Sequence, residues 1–350
     1  MKRDQVLKEQ VKPIDLMNTD SIVGLVEAYK DSSIQSRAIA TCASALENAL
    51  KDPSRPTVIL GLSGAMIAGG MRKIISDLIK TGVVDVIVTI GAIPYQDFYQ
   101  AMGYRHYKCS PMIDDVALRE LFLDRIYDTI VDEEKFREVD EHIGNLAEKL
   151  EARPYSSREF LSYLGSQIDD EDSILRNAHK YGVPIFAPAL NDSSIGIGLT
   201  HLYNRMRGSG KAYMSLDPIR DNYELAQVKI KSDKTAVIYI GGGVPKNYIQ
   251  QTEVIAEMLG HDKGGHHYAI QITTDSPVWG GLSGCTFEEA QSWGKINKEA
   301  SKAVAYVEAT IGLSLMAGYI LQKGVWKGRE RLDMQWEGDE LKAIGRLPLE

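Results

Sequence analysis

Six short runs of apolar, β-branched residues recur along the chain, each followed by a stretch of helical character. They occupy residues 57–60, 83–89, 184–186, 235–240, 268–273 and 303–307. The runs are nearly continuous in apolar residues and do not alternate with polar ones, so they predict strands of a parallel sheet that is covered on both faces. Strands that alternate with helices predict a doubly wound, Rossmann-like α/β fold.

The remaining segments predict the domain organisation. Residues 1–50 precede the first strand and predict a separate N-terminal helical arm. Residues 51–325 predict a single α/β domain with a charged, helical insertion at about 101–180, and residues 326–350 predict a polar C-terminal tail. Within the domain, residues 66–80 carry apolar side chains close to helical spacing and predict a helix.

Composition and charge narrow the classes of function. The hydrophobic content of 44% and the charged content of 25% are typical of a folded domain, which argues against disorder. The formal net charge of −8 disfavours nucleic acid as a partner and suits a cationic small molecule. Because no apolar stretch has the length of a signal peptide or a membrane helix, we expect a cytoplasmic protein.

Three familiar kinds of site are not predicted. The cysteines Cys42, Cys109 and Cys285 are widely spaced, so neither a disulfide framework nor a CxxC site is indicated. His266 and His267 are adjacent at a strand start and point to opposite faces, so no metal site is expected. Serines in the glycine-rich loops have no partner histidine at a recognised spacing, which disfavours a serine nucleophile.

Five segments follow predicted strands, where a doubly wound sheet places its ligand crevice. They are residues 61–64, 89–92, 188–194, 241–246 and 280–284. Glycine in four of them would let the backbone approach a phosphate closely. No GxGxxG opens the first strand–helix unit, so the usual dinucleotide fingerprint is absent. Tight turns and a nucleotide-like ligand site both remain open on these residues alone.

Lys295 is a candidate for covalent chemistry. An amine attacks an imine only when neutral, so its pKa would have to fall through desolvation or a nearby cation. Trp293 could supply apolar cover, and Glu289, one helical turn earlier, could hold a cationic substrate. An ordinary solvated lysine is the alternative on composition alone.

The segment Ser292-Trp293-Gly294-Lys295 resembles the active-site lysine motif of deoxyhypusine synthases. Residues 62–64, 84–89, 184–192, 241–246 and 283–284 resemble further family landmarks in the same order, so that the resemblance covers roughly residues 57–315. It implies an NAD-dependent enzyme that oxidises a polyamine such as spermidine and passes the aminobutyl group to an acceptor. Lys295 would carry that group as an imine.

The resemblance also implies roles for other residues and an assembly. Glu289, Trp293 and Asn247 would line the polyamine site. The residues expected around NAD are Ser63, Thr89, Asp192, Gly242, Gly243, Thr274, Ser283 and Glu308. Family members form homotetramers with active sites at a dimer interface, and an N-terminal arm can cover a neighbouring entrance.

The chain departs from the family pattern at four positions. Asn247 stands where the family has a catalytic histidine, and Trp279 replaces a family acid. Ile197 and Leu282 replace two acids that hold the terminal amine of the polyamine. Because an aliphatic side chain cannot pair with an ammonium group, these changes predict a rebuilt amine site.

Other residues could compensate for these losses. Asp275 and Asp97 are candidates for holding the amine, and Tyr248 or Lys246 for the lost general base.

Four functions remain open from the sequence. A transferase that uses a small acceptor amine such as putrescine, as related homospermidine synthases do, is favoured. A deoxyhypusine synthase proper, acting on a lysine of translation initiation factor 5A, is the alternative. A non-catalytic NAD-binding protein and an amine dehydrogenase are hypotheses from other classes.

Overall fold

A computed structural model describes Arg3 and residues 7–349. Residues 1, 2 and 4–6 of the predicted arm and residue 350 of the predicted tail lie outside the described residues. The strands of the main sheet are β1 (Thr57–Leu62), β2 (Val86–Thr89), β7 (Ile185–Phe186), β9 (Thr235–Ile240), β10 (His266–Ile272) and β11 (Ile296–Ala305). They are parallel and lie in the order β11-β10-β9-β1-β2-β7. The predicted fold class and all six strands are confirmed.

Helices cover both faces of this sheet, and others belong to the insertion between β2 and β7. They are α1 (Ile22–Lys30), α2 (Ile34–Lys51), α3 (Arg72–Lys80), α4 (Ala92–Ala101), α5 (Asp115–Glu120), α6 (Glu133–Glu148), α7 (Ser157–Ser166), α8 (Ile174–Lys180), α9 (Ser194–Met206), α10 (Pro218–Lys231), α11 (Gly243–Met258), α12 (Phe287–Ser292) and α13 (Ala309–Lys323). Successive strand residues enter different cores: Val58 and Leu60 pack into one hydrophobic cluster, whereas Ile59 packs into the other. The sheet is therefore buried on both faces, as its continuous apolar runs predict.

Two element boundaries differ from the prediction. Strand β11 begins at Ile296, well before the expected residue 303. It lies at a sheet edge, so its first residues can be polar and still pair with β10 on one side. Helix α3 begins at Arg72 and not at residue 66, because Gly70, with a φ of +82°, interrupts the helical backbone.

The prediction of a separate N-terminal arm is wrong for α2. Its residues Ile39, Ala43 and Leu46 are fully buried in the same cluster as β1 and β10. The hydroxyl of Tyr319 in α13 lies 2.6 Å from Glu27 Oε1 and 2.7 Å from Glu47 Oε2, which joins α1, α2 and α13. The first two helices are therefore part of the α/β domain.

The predicted helical insertion contains helices and also short strands. Strands β3 (Tyr107–Lys108), β4 (Leu123–Ile126) and β5 (Thr129–Asp132) form an antiparallel sheet in the order β3-β5-β4. Strand β6 (Pro154–Tyr155) pairs in parallel with β8 (Ser215–Leu216). Residues 123–131 are rich in β-branched side chains, which favour strands.

The predicted polar tail forms a hairpin of β12 (Arg331–Glu337) and β13 (Glu340–Leu347). Leu332, Met334 and Leu341 are buried in the second hydrophobic cluster, so this segment is not merely a polar tail. Only part of each strand is buried, and buried residues are interspersed with exposed polar ones, so the segment looks polar in the sequence. No helix in residues 7–349 is both long and apolar enough to cross a membrane.

Candidate active site

The loops after β1 and β9 meet Ser283 at the carboxyl edge of the sheet. Ser63 Oγ donates to the Ile240 carbonyl at 2.9 Å and accepts from the Gly242 amide at 3.0 Å. The Gly243 amide donates to Ser283 Oγ at 3.0 Å. A Cβ on Gly242 would lie 2.4 Å from Ser283 Cα, so only glycine fits there. Residues predicted to surround one ligand are thus joined by direct contacts.

Lys246 and Gln271 hold these loops together from beneath. Gln271 Nε2 donates to the carbonyls of Gly241 and Ser283, both at 2.8 Å. Lys246 Nζ donates to Gln271 Oε1 at 2.9 Å and to the Cys285 carbonyl at 2.5 Å. Burial lowers the pKa of Lys246 to about 8. Because its ammonium group is buried and bound to protein acceptors, Lys246 positions the loops.

The start of α11 leaves space for a ligand. Gly242 caps this helix without any side-chain hydrogen bond. Gly243 has a φ of +59°, and a Cβ built on it would meet no atom within 4 Å. The Gly242 and Gly243 amides already donate to Ser63 and Ser283, so the attraction for an anion such as phosphate comes from the partial positive charge of the helix N-terminus. The glycine loop therefore has the open backbone approach that a nucleotide phosphate requires.

Other predicted cofactor residues follow different strands along the same edge. Thr89 is buried at the end of β2 and donates to the Leu62 carbonyl at 3.1 Å. Asp192 and Thr274 are exposed in the loops after β7 and β10. Glu308 caps α13 by accepting from the Thr310 amide at 2.9 Å. Burial raises the pKa of Glu308, but its hydrogen bonds outweigh this and hold the pKa below its usual value.

Lys295 is half-buried immediately before β11. Its carbonyl accepts from the His266 amide at 3.1 Å, which places its backbone at the amino end of β10. The ammonium group lies 5.5 Å from the centre of the Trp293 ring. Burial raises the pKa of the Cys285 thiol, while Lys246 and Lys295 oppose the rise and Glu289 adds to it. The charges of Lys246, Glu289 and Lys295 therefore all act on the Cys285 side chain, although the Lys295 backbone lies at the amino end of β10.

Two of the proposed compensating residues lie elsewhere. Asp97 is completely buried, and its carboxylate accepts from Arg72, from Ser173 and from two backbone amides. The expectation that Asp97 holds an amine is therefore wrong, because both of its oxygens are taken. The Tyr248 hydroxyl donates to the Pro218 carbonyl at 3.1 Å, on the side facing α10. Tyr248 is thus not brought to the glycine loops.

Asp275 and Asn247 stay close to the predicted site. Asp275 is half-buried after β10, and its charge acts on Lys246. Asn247 is half-buried in the first turn of α11, next to Lys246. His266 is buried with Nδ1 2.8 Å from Thr235 Oγ1, and burial holds its pKa well below the usual value. This histidine stabilises the opposite end of the sheet.

A rim of exposed apolar side chains surrounds the site. Its members lie around the glycine loop and α12: Val244, Val278, Trp279, Leu282 and Trp293. Trp279 and Trp293 are 74% and 67% exposed. Large apolar groups that are exposed together mark a surface that binds a ligand or another chain.

A second pocket lies between α6 and α9, and the sequence interpretation missed it. It has a volume of about 710 Å³. Asp140 of α6 lies in its wall and is 8% exposed. Asp140 lies four residues after Phe136 and three before Ile143, which is the spacing of an inward helix face. That signal could have found it.

Comparisons with known proteins agree with the resemblance in the sequence. The family model described as deoxyhypusine synthase matches residues 24–320. A protein of Methanosarcina acetivorans named deoxyhypusine synthase 2 is 46% identical over 95% of both chains. A deoxyhypusine synthase-like protein of Chlorobaculum tepidum is 41% identical over 94% of both chains. A solved structure from Entamoeba histolytica, named for deoxyhypusine synthase, has a TM-score of 0.62 at 18% identity. That structure covers 88% of this chain and 96% of its own, and it supports the fold alone.

Proposed function

Since this chain belongs to the deoxyhypusine synthase family, whose members transfer aminobutyl groups, we propose that it moves such a group from a polyamine to a small acceptor amine. Spermidine is the proposed donor, and an amine such as putrescine is the proposed acceptor. The observation that carries the proposal is the Lys295 ammonium group next to the Trp293 ring, with the carboxylate of Glu289 in the helix that precedes them. A carboxylate and an aromatic ring are the partners that a cationic amine needs.

Lys295 would act by exchanging amines. Removal of a hydride from the donor carbon and a proton from its nitrogen leaves an imine. The neutral Lys295 amine adds to that carbon, and 1,3-diaminopropane leaves from spermidine. The acceptor amine then adds to the same carbon and Lys295 leaves, so that the lysine is regenerated. Return of the hydride to the resulting imine completes the product.

The glycine loop supports NAD as the cofactor. Ser63, Gly242, Gly243 and Ser283 would surround its phosphates, because the two serines hold the glycine backbone in place and the space beside Gly243 is open. Glu308 remains charged and could accept hydrogen bonds from ribose hydroxyls. Bound NAD would accept the hydride from the donor amine and give it back to the product imine.

Asp275, Asn247 and Lys246 would serve the rebuilt amine site. Asp275 lies near the Lys246 ammonium and could hold a second cation. Asn247 cannot take a proton, so it would orient an amine through its amide. Lys246 is proposed to keep the loops in place, since its bonds to Gln271 and Cys285 occupy two of its three donors.

Trapping on Lys295 tests this proposal. The protein is incubated with NAD and spermidine, with and without putrescine, then treated with borohydride and analysed by mass spectrometry. We expect an aminobutyl adduct on Lys295, together with homospermidine and diaminopropane. Lys295→Ala should lose all transfer and retain NAD binding. The matched control is Lys298→Ala, an exposed lysine three residues away, which should transfer normally. Full activity of Lys295→Ala would refute the role of this residue.

A protein acceptor is a second candidate, favoured by the name of the Methanosarcina relative. The same assay with translation initiation factor 5A as acceptor separates the two functions. Label on a lysine of that factor, and none on putrescine, would support the protein acceptor. NAD binding without any hydride transfer from a polyamine would instead favour a non-catalytic protein, and net release of NADH would favour a dehydrogenase.

A homotetramer with active sites at a dimer interface is part of the proposal. The exposed rim around the site supports it, because a second chain would cover Trp279 and Leu282. Light scattering should give four times the mass of 38.8 kDa.

A further inference from the structure

A cluster of buried polar side chains lies at the amino ends of β9 and β10. Its members are Lys229 of α10, Thr235 of β9, Glu253 of α11 and His266 of β10. Taking charged groups out of water is costly even when they are paired. Apolar side chains of similar size are often as stable in such a place, so packing alone does not explain the cluster.

Lys229 has an acceptor for each of the three N–H bonds of its ammonium group. Its Nζ lies 2.6 Å from Glu253 Oε1, and it donates to Thr235 Oγ1 at 2.9 Å and to the Gly265 carbonyl at 3.0 Å. Because an ammonium group only donates, Thr235 Oγ1 is the acceptor, and its own proton is directed at His266 Nδ1, 2.8 Å away. One hydroxyl group therefore joins the ion pair to the histidine.

The bonds of His266 follow from this arrangement. Burial holds its pKa well below the usual value, so the ring is neutral and carries one proton. Because Nδ1 accepts from Thr235, that proton is on Nε2, which faces the Ile249 carbonyl of α11 at 3.4 Å. The start of β10 is thus connected to α11 through His266 and to α10 through Lys229.

The start of β10 in turn holds the backbone at Lys295. The His266 amide donates to the Lys295 carbonyl at 3.1 Å. A Cβ on Gly265 would lie 2.4 Å from the backbone nitrogen of Asn297, so the two backbones are in contact there. The carbonyl that Lys229 binds therefore belongs to a residue that packs directly against the segment carrying Lys295.

We propose that the cluster of Lys229, Thr235, Glu253 and His266 positions Lys295 by holding the backbone from which its side chain extends. The importance of Lys295 rests on the proposed function. Lys295 itself lies between the end of α12 and the start of β11, where no element of its own surrounds it. A displacement of about 1 Å of a reacting group can lower a rate by roughly 100-fold, so a fixed backbone matters there. The four residues act through residues 265 and 266, and they are positioning residues.

Substitution of Thr235 tests the proposal in the full-length protein. Thr235→Val keeps the shape of the side chain and removes the hydroxyl group that joins Lys229 to His266. Site-resolved hydrogen exchange follows the His266 amide, and borohydride trapping with NAD and spermidine follows transfer to Lys295. We expect this amide to exchange at least about tenfold faster, the usual effect of losing one hydrogen bond.

The trapping experiment separates positioning from substrate binding. In Thr235→Val the Lys295 adduct should form on the order of tenfold more slowly at saturating spermidine, because the amine is displaced from the donor carbon. The spermidine concentration that gives half the maximal rate should stay within about twofold of the wild type. The circular dichroism spectrum should be unchanged. Thr235→Ser restores the hydroxyl group, and it should restore both the exchange rate and the adduct rate.

The matched control is Thr57→Val. Thr57 is the buried first residue of β1, lies opposite Thr235 in the sheet and bonds to Ser232. Its substitution removes an equivalent hydroxyl group from the same end of the sheet and should leave both rates within about twofold of the wild type. An equal loss in Thr57→Val would overturn the proposal, because any buried hydroxyl group would then have the same effect.

A second variant removes the ion pair itself. Lys229→Met combined with Glu253→Gln leaves no buried charge and removes the donor to the Gly265 carbonyl. Both rates should change as in Thr235→Val. Unchanged rates in both variants would overturn the proposal, as would faster exchange with an unchanged adduct rate. Absence of any adduct in the wild type would contradict the proposed function, whereas exchange of the His266 amide would still decide whether the cluster holds Lys295.

Discussion

Lys246 and Asp140 are both buried charged residues, but their surroundings differ. Lys246 finds two acceptors within the protein, the Gln271 side chain and the Cys285 carbonyl. Asp140 leaves one carboxylate oxygen without a donor. A buried charge whose hydrogen bonds are complete holds the fold together, whereas an incomplete one has capacity left for a ligand. The Asp97 carboxylate accepts hydrogen bonds from four donors, so Asp97 has a structural role like that of Lys246.

The sharpest test of this comparison is Asp97→Asn. The substitution turns one acceptor oxygen into an NH₂ group. That group would face either the Arg72 guanidinium and the Ile174 amide or the Ser173 hydroxyl and the Leu175 amide. We expect the free energy of unfolding to fall by about 3–5 kcal/mol, because two buried donors lose their acceptor at about 1–3 kcal/mol each, while Arg72 keeps its salt bridge with Asp170. Urea denaturation measures this change. The control Asp77→Asn removes an exposed salt bridge with Lys73 and should stay within about 1 kcal/mol. An equally small effect of Asp97→Asn would break the comparison.

Lys246→Met should have the next largest effect. It keeps the length of the side chain but leaves Gln271 Oε1 and the Cys285 carbonyl without their donor, so we expect a loss of about 2–3 kcal/mol and weaker NAD binding. The pH dependence adds a signature. Burial lowers the folded pKa to about 8, below the ordinary 10.5, so the unfolded chain binds more protons between these values. Stability contributed by Lys246 therefore rises from pH 8 to pH 10 by on the order of 1 kcal/mol per pH unit. This role of Lys246 would be contradicted if the difference in unfolding free energy between wild type and Lys246→Met stayed constant from pH 8 to pH 10.

Asp140→Asn should have the smallest effect on stability, with the opposite sign. Burial raises the pKa of Asp140, and the Tyr95 and His201 side chains only partly oppose this rise. The ionised carboxylate therefore destabilises the folded state at neutral pH. Above the folded pKa the variant should match or exceed the wild type by up to about 1 kcal/mol. The gain should vanish at acidic pH, where Asp140 is protonated. Thermal unfolding at pH 7 and pH 4 checks both values, and a clear loss at pH 7 would assign Asp140 to the structural group.

The fold was largely predictable because its signal is local. The six buried strands can be recognised in the sequence as continuous apolar runs, and the glycine loops follow them directly. The hairpin of β12 and β13 escaped because it buries only alternate residues such as Leu332 and Met334. The arm was misjudged for a related reason: Ile39 and Leu46 already show the apolar stripe of α2, but its partners lie far along the chain.

The site was less predictable because it depends on distances between remote residues. The sequence suggested Lys246 as a base, yet its bond to Gln271, 25 residues away, gives it a structural role. Asp97 looked available and is enclosed by Arg72 and Ser173. Lys295, Glu289 and the glycine loops were identified by resemblance, and their roles stay predictions until the trapping experiment is done.

The contact of Tyr319 with Glu27 and Glu47 has a consequence for biosynthesis. Glu47 and Tyr319 are 272 residues apart. At the usual rate of translation, roughly 15 to 50 s pass between the emergence of α2 from the ribosome and that of α13. During that time the apolar stripe of α2 has neither β10 nor α13 to cover it. The chain can therefore complete its fold only when synthesis is nearly finished.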